Sequence, residues 1–326
     1  MVREEILDLL AANPGEYVSG ELMSEHLQLT RAAIWKQIKV LKEAGFEIEA
    51  QTKRGYRLLR TPLTINAWTI KHLLKTKELG RELDLNVEVT STNERAKELA
   101  GKGWGHGTAV LAEMQNVGVG RMQRHWESPK GGLWMSVILK PKLSLADASK
   151  LTLCAGVAVV DAIAGVCKIK VGIKWPNDVV YNGQKLVGIL AEVVGEWNTV
   201  QTMVIGIGVN VNLRRDQLSK ELLATTIQEI TGVTFDLNIL AAEILKHLEQ
   251  ELFDLEIKGF NSLRDRWMQR AVGLKQTAVI QQGDRTFEGV IQGISVDGEL
   301  IIKIGEESHT FSAGEVRVRS AAGTYF

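Results

Sequence analysis

The chain has 326 residues with 39 Lys and Arg against 39 Asp and Glu, so no global field marks it as a polyanion binder. A hydrophobic share of 45% and a charged share of 24% exclude a disordered or repetitive chain and leave room for two or three domains with their own cores. The start MVREEILDLL carries acids where a secretion signal has a positive region, and no run reads as a membrane span; with Cys154 and Cys167 in an apolar stretch as free, buried thiols, a cytoplasmic protein without a membrane partner is expected.

Charge is uneven along the chain. Residues 1–29 hold one basic and six acidic residues, residues 30–60 eight and three, so the cancelled total hides a basic segment. Apolar Val2, Ile6, Leu9 and Leu10 predict a helix over 2–11. Ser19 caps a second helix through about Leu27, and Thr30 a third, RAAIWKQIKVLKEAG, which Gly45 stops. In that helix Ala33, Ile34, Ile38 and Leu41 face inward, leaving Arg31, Trp35, Lys36 and Lys39 outside. FEIEA and RGYRLL alternate as a hairpin around Lys53-Arg54-Gly55. The pattern is a winged helix-turn-helix over 1–62: Thr30, Arg31, Trp35, Lys36 and Lys39 address a major groove, and Lys53 and Arg54 the phosphates. The plainer alternative is a small solvated domain with a basic face.

A linker helix follows at about Asn66 to Leu74. The strand LNVEV then leads to Ser91-Thr92-Asn93 and a helix from about Glu94; these polar residues are caps by default and equally good partners for a polar ligand. GTAVLAEMQ delivers a loop, QNVGVGRMQRHWESPKGG, and LWMSVILK leaves it. Gly118 and Gly120 with Arg121, Arg124, His125 and Lys130 suit an anion, although the Walker pattern is absent. An apolar helix is expected over 144–166. VGIKWPNDVVY and QKLVGILAEVV flank Asn182-Gly183 as a hairpin, and TVQTMVIGIGVNVN forms a further strand. Helices follow at 221–231, 237–258 and 259–270. Turn-separated strands argue for an α+β domain over 63–270 with a mixed, mainly antiparallel sheet. Short alternating strands from Lys275 to Arg319 indicate a small β-barrel over 271–326.

Four polar segments remain without a packing reason: Ser91-Thr92-Asn93, the glycine loop, KWPND at 174–178 with Lys185, and Gly206 to Asn210. Together with TRAAIWKQI, KLVGILAE and GIGVNVN, they resemble the biotin protein ligases, specifically those that carry an N-terminal DNA-binding domain and repress biotin synthesis. The resemblance spans essentially the whole chain. It implies a class II synthetase-like catalytic sheet, an SH3-like terminal barrel, and a two-step reaction using biotin, ATP and Mg²⁺. Biotin is activated to biotinoyl-5'-AMP and passed to a lysine of a carboxylase's biotin carboxyl carrier domain. A homodimer holding the adenylate binds operator DNA.

Carried over by position, Ser91, Thr92, Asn93, Gln115, Val119 and Gly120 hold biotin. Arg121 and Lys185 act on the acyl-phosphate as the catalytic pair. Trp126, Asn177, Asp178, Asn210 and Arg319 join Arg121 on the ATP side, with Asp178 toward Mg²⁺. Trp126 and Trp175 could equally be core, and Lys174 a solvated strand-end charge. The family's loop normally begins Gly-Arg-Gly-Arg, whereas Val119 stands at the first arginine here and Gln123 at a usual glycine. A looser hold on the adenylate, and acylation of bystander lysines, is therefore expected. The competing readings are a lipoate-type ligase, a biotin-sensing repressor without catalysis, and a ligase whose N-terminal domain no longer binds DNA.

Overall fold

The computed structural model describes residues 2–140, 148–194, 202–219, 223–313, 316–321 and 326. They form two compact units, residues 1–72 and 73–326. The first contains α1 (Val2–Ala11), α2 (Gly20–Leu27), α3 (Arg31–Glu43), β1 (Glu47–Gln51), β2 (Gly55–Arg60) and α4 (Ala67–Leu73). Both expected caps are made: Ser19 Oγ accepts from Leu22 N at 3.0 Å, and Thr30 Oγ1 from Ala33 N at 3.2 Å. Each such cap supplies about 1 kcal/mol. Ile34, Ile38 and Leu41 of α3 close against Ile6, Leu7, Leu10 and Met23. The linker helix α4 is drawn into this core by Trp68, which packs edge-on to Phe46 at 6.0 Å and donates to Asp8 Oδ1 at 2.7 Å.

The second unit is built on a seven-stranded sheet. Its strands are β3 (Leu83–Val89), β4 (Ala109–Gln115), β5 (Leu133–Leu139), β6 (Gly172–Lys174), β7 (Asp178–Tyr181), β8 (Gln184–Val194) and β9 (Thr202–Val209), in the order β3-β4-β5-β9-β8-β7-β6. Only β3 and β4 pair in parallel, because α5 (Thr92–Gly101) crosses between them; every other pairing is antiparallel. The Asn182-Gly183 turn joins β7 to β8 as expected, with both residues at positive φ, 46° and 75°.

One face of the sheet carries α6 (Ala148–Cys167), backed by α8 (Leu237–Lys258) and α9 (Phe260–Arg270). The expectation that no run reads as a membrane span needs correction. Ser149–Cys167 is a helix of 19 residues, long and apolar enough to cross a bilayer, yet 67% of its most apolar stretch is buried. A helix buried over most of its surface in a core is hydrophobic over most of its circumference, as a membrane helix is. Residues 144–147 of the expected helix lie outside those described, and both cysteines are free and buried.

The helix expected over 221–231 begins only at Ile227, as α7 (Ile227–Thr231), capped by Thr226. Residues 221 and 222 are not described; Leu223 to Thr225 run extended beside Lys185, because tertiary pairing overrides their helical propensity. At the C-terminal end, β10 (Thr277–Gln282), β11 (Arg285–Ile294), β12 (Leu300–Ile304), β13 (Glu307–Phe311) and β14 (Val316–Ser320) form an antiparallel sheet in the order β13-β12-β11-β10-β14. Ala278, Ile280, Ile291, Ile302, Phe311 and Val318, drawn from all five strands, fill its buried side.

Candidate active site

A cleft of about 260 Å³ opens on the second unit. It brings together Ser91, Thr92, Asn93, Gln115, the 119–127 loop, Lys174, Asn177, Asp178, Lys185, Asn210 and, from the C-terminal sheet, Arg319. Every catalytic, biotin-side and nucleotide-side residue expected from the sequence therefore lines one space.

At the start of α5 no cap is made by Ser91, whose side chain forms no capping bond. The side chains of Thr92 and Asn93 serve a buried network instead of capping the helix. Thr92 N donates to Gln115 Oε1 at 2.7 Å, and Gln115 Nε2 donates to Ser128 Oγ at 2.7 Å. Ser136 Oγ, fully buried on β5, lies 2.7 Å from Thr92 Oγ1 and 2.6 Å from Asn93 Oδ1. A Cβ at Gly206 would overlap the Asn93 amide, which gives the first glycine of GIGVN its reason.

The opposite end of the cleft is cationic. Lys185 Nζ is 2.7 Å from Asp178 Oδ1 and 4.9 Å from the centre of the Trp126 ring. Its backbone is pinned on both sides, Lys185 N donating to Leu223 O at 2.7 Å and Thr225 N to Lys185 O at 2.9 Å. Arg121 donates to Asn177 Oδ1 at 3.2 Å and to the carbonyl of Ala313, which ties the glycine loop to the C-terminal sheet. Asn177 in turn donates to Ile189 O at 2.8 Å, so its amide is spent on aiming Arg121.

Lys174 is buried, not a solvated strand-end charge. Burial, reinforced by the positive charges of Arg319, Lys185 and Arg121, pulls its pKa down to about 8 against the opposing attraction of Asp178. Burial works against the Asp178 carboxylate too, but Lys185 and Lys174 outweigh it and hold the group below the usual range. One buried carboxylate thus sits among Lys185, Lys174 and Arg121, and Arg319 adds a fourth positive charge beside Lys174.

That donor set does not suit a resident magnesium ion. Among the described residues no group of three or more His, Cys, Asp or Glu could hold a metal, and Asp178 is already ion-paired. Magnesium takes oxygen ligands, and the Asp178 carboxylate is committed to Lys185.

Trp126 lies across the two glycines of the sheet: its ring is within 3.0 Å of a Cβ built at Gly188 and 2.6 Å of one at Gly208. Among the described residues its Nε1 is buried without a hydrogen-bond partner, as is Asn210 Oδ1, whose amide nitrogen is committed to Thr225 O at 3.2 Å. A buried donor and a buried acceptor left unmade in one cleft are costly unless a ligand completes them. Trp175, by contrast, is core, and donates to Gly298 O at 3.0 Å. In the loop, Val119 bridges to His125 and is half-buried at the cleft wall. Gln123 holds φ 56°, a left-handed value that glycine adopts without strain, in keeping with a glycine there elsewhere in the family.

In the first unit Trp35 and Lys36 are exposed on α3, and Arg31 forms an exposed ion pair with Glu21 at 2.9 Å. Lys39 approaches Glu43 at 4.0 Å. In the wing, Arg54 stacks on Tyr17 at 4.2 Å and donates to Gln51 Oε1 at 3.1 Å, while Lys53 stands at the turn with φ 66°.

The sequence reading did not single out Ser136, Glu192 or the Ala313 carbonyl. Ser136 and Glu192 fall in strand runs that look like ordinary alternation, and a backbone carbonyl leaves no sequence signal.

Comparison with known proteins agrees with this arrangement. Residues 86–210 match the Biotin/lipoate A/B protein ligase family, residues 2–57 an HTH domain, and residues 275–319 the Biotin protein ligase C terminal domain. The bifunctional ligase/repressor BirA of Bacillus subtilis is 36% identical over 94% of this chain and 95% of its own. That of Escherichia coli is 31% identical over 96% of each. A solved biotin protein ligase of Aquifex aeolicus, in complex with biotin and ATP, superposes with a TM-score of 0.66 at 31% identity, over 74% of this chain and all of that one. The cleft and the sequence both place the protein in the Biotin/lipoate A/B protein ligase family, among its bifunctional ligase/repressors.

Proposed function

We infer that this protein is a biotin protein ligase that activates biotin with ATP and is also a biotin-responsive repressor. The observation that carries the reading is the pairing, in one cleft, of an uncharged hydrogen-bonding pocket with four cations, three of which act on Asp178. The first suits a small polar ring and the second a carboxylate beside a triphosphate.

The reaction asks for two anions to be held together while charge moves between them. The biotin carboxylate attacks the α-phosphorus, pyrophosphate leaves, and a mixed anhydride results. The neutral lysine of a carrier domain then attacks the acyl carbon and releases AMP. Lys185 and Arg121 neutralise the acyl-phosphate, Lys174 and Arg319 the remaining phosphates. Ser91, Thr92, Asn93, Gln115 and Gly120 hold the biotin ring. The unpaired Asn210 Oδ1 is an acceptor for the adenine amino group, and Trp126 is a lid over the glycine shelf. The carrier's modification is tested by incubating enzyme, biotin, ATP and magnesium with a carboxylase carrier domain and reading intact mass. One added biotinoyl group is the expected outcome; an unmodified carrier contradicts the reading.

Val119 offers no charged donor where the family has arginine. Restoring one with Val119→Arg is expected to slow adenylate release about tenfold to a hundredfold, the worth of one charged hydrogen bond. Labelling of an unrelated lysine-rich protein should fall with it. Equal bystander labelling by both proteins would show that Val119 is irrelevant to retention.

For the repressor role, α3 and the wing supply the DNA surface, and adenylate binding favours the homodimer that holds the operator. The open edge of β3, with Val87 exposed, is a surface for homodimer formation. Exchanging Lys53 for Ala is expected to weaken operator binding uniformly across sequences and to reduce the slope of log affinity against log salt by about 1. Gel shifts at several salt concentrations measure this, and an unchanged slope would remove Lys53 from the phosphate contacts.

A further inference from the structure

The network beneath the ring-binding end of the cleft has a direction, and its charged terminus sets it. Glu192 on β8 accepts from Lys97 Nζ at 2.8 Å and from Asn93 Nδ2 at 2.7 Å. A carboxylate only accepts, so Asn93 is obliged to turn its NH₂ to Glu192 and its Oδ1 to Ser136. An amide oxygen also only accepts, so the single Ser136 proton fills the 2.6 Å contact to Asn93 Oδ1. Ser136 Oγ then faces Thr92 Oγ1 at 2.7 Å with no proton left, and the Thr92 proton fills that gap. Thr92 Oγ1 also lies 3.1 Å from Gln115 Oε1, but that oxygen already receives Thr92 N at 2.7 Å. One hydroxyl proton cannot serve both neighbours, and among the described residues Ser136 has no other donor.

We propose that Glu192, paired with Lys97, is a positioning residue that fixes the Thr92 hydroxyl as a hydrogen-bond acceptor toward the cleft, so that the site selects a ligand presenting a ring N–H there. The proposal rests on the biotin reading, whose cyclic urea carries such N–H groups. A cyclic carbamate of the same shape, with oxygen in place of the N–H, sets lone pair against lone pair and is rejected. Gly206 leaves room for the Asn93 amide, and the carbonyl of Leu190, 3.5 Å from Asn93 Nδ2, favours the same orientation as Glu192.

Glu192→Gln inverts the logic. Lys97 can only donate, so it takes the new amide's oxygen and leaves its NH₂ for Asn93 Oδ1. Asn93 then turns its NH₂ to Ser136, Ser136 donates to Thr92, and the Thr92 proton is freed for the ligand. Biotin-dependent ATP–pyrophosphate exchange by the full chain, compared with exchange on the two carbamate analogues of biotin, reads this out. The natural protein should prefer biotin over one carbamate by at least about a hundredfold in kcat/KM, since a site built to pair a ligand N–H is left with an unmet buried acceptor. In Glu192→Gln that preference should collapse by tenfold or more, through KM, with kcat at saturating biotin nearly unchanged. Ser136→Ala, which breaks the relay at its centre, should do the same and stands in if the glutamine variant does not fold. Lys97→Met, which leaves the carboxylate in place, should keep the preference. Equal loss on biotin and carbamate in the variants, or no discrimination by the natural protein, overturns the relay while leaving the ligase reading intact; no exchange with biotin at all overturns the ligase reading and the relay with it.

Discussion

Replacing Lys185 with Met should lower biotin-dependent adenylate formation by about 10² to 10³-fold, the usual cost of removing one preorganised donor from a charge-developing centre. The amine is held at 2.7 Å from Asp178 and over the Trp126 ring, at a strand start clamped between Leu223 and Thr225, so it has little freedom to be elsewhere. Asp178 keeps Lys174 and Arg121 nearby when Lys185 is lost, so the fold should survive the change. The loss should therefore appear in kcat rather than in folding. Single-turnover formation of the adenylate measures it, and a reduction below tenfold would assign the chemistry to other groups.

Lys174→Met should give the opposite signs for stability and activity. The lysine's pKa is pulled from 10.5 to about 8, a deficit of about 3 kcal/mol for carrying its proton in the folded state. That deficit already includes the attraction of Asp178, so a net gain of up to about 3 kcal/mol is expected near neutral pH. The pH dependence follows from the same shift. Between pH 8 and 10.5 the unfolded chain binds the proton that the folded chain has released, so the natural protein should gain stability as pH rises through that window. The variant should lack that rise. Denaturant titrations at pH 7 and pH 10 test both points; a destabilised variant with an unchanged pH slope would refute the account of Lys174. Activity should fall in the variant, and in the natural protein it should fall as pH rises through about 8, where the free cleft loses one positive charge. Phosphates restore the charge by raising the pKa, so nucleotide binding near pH 9 should take up a proton. Calorimetry in buffers of different ionisation enthalpy detects that uptake.

How far the sequence could be read depended on whether the determining interaction was local. Thr30 and the 3.6-residue period of α3, or Asn182-Gly183 between two alternating runs, name their structures because cap and turn are made by the residues themselves. Leu223 to Thr225 could not be placed in the same way. Their extended path is imposed by Lys185, some 40 positions away, and only the Thr226 cap marks where helix begins. The parallel pairing of β3 with β4 is likewise set by how α5 crosses. Among the site residues, the motif segments were legible, whereas their partners were not. Ser136 reads as one more strand residue, and Lys174 as an end-of-strand charge, until burial and four converging segments give each a reason. Ser91 illustrates the converse, a residue with every appearance of a cap that makes none.

This cleft joins a carboxylic acid to the α-phosphate of ATP. Exchange of labelled pyrophosphate into ATP by the purified protein measures that step without a carrier, a dimer or DNA. Exchange that requires biotin, and that is not supported by lipoate, is the predicted result. Exchange driven equally by lipoate would make the protein a lipoate-type ligase, and none with either acid would leave a sensor that binds without catalysis and contradict the assignment of Lys185 and Arg121.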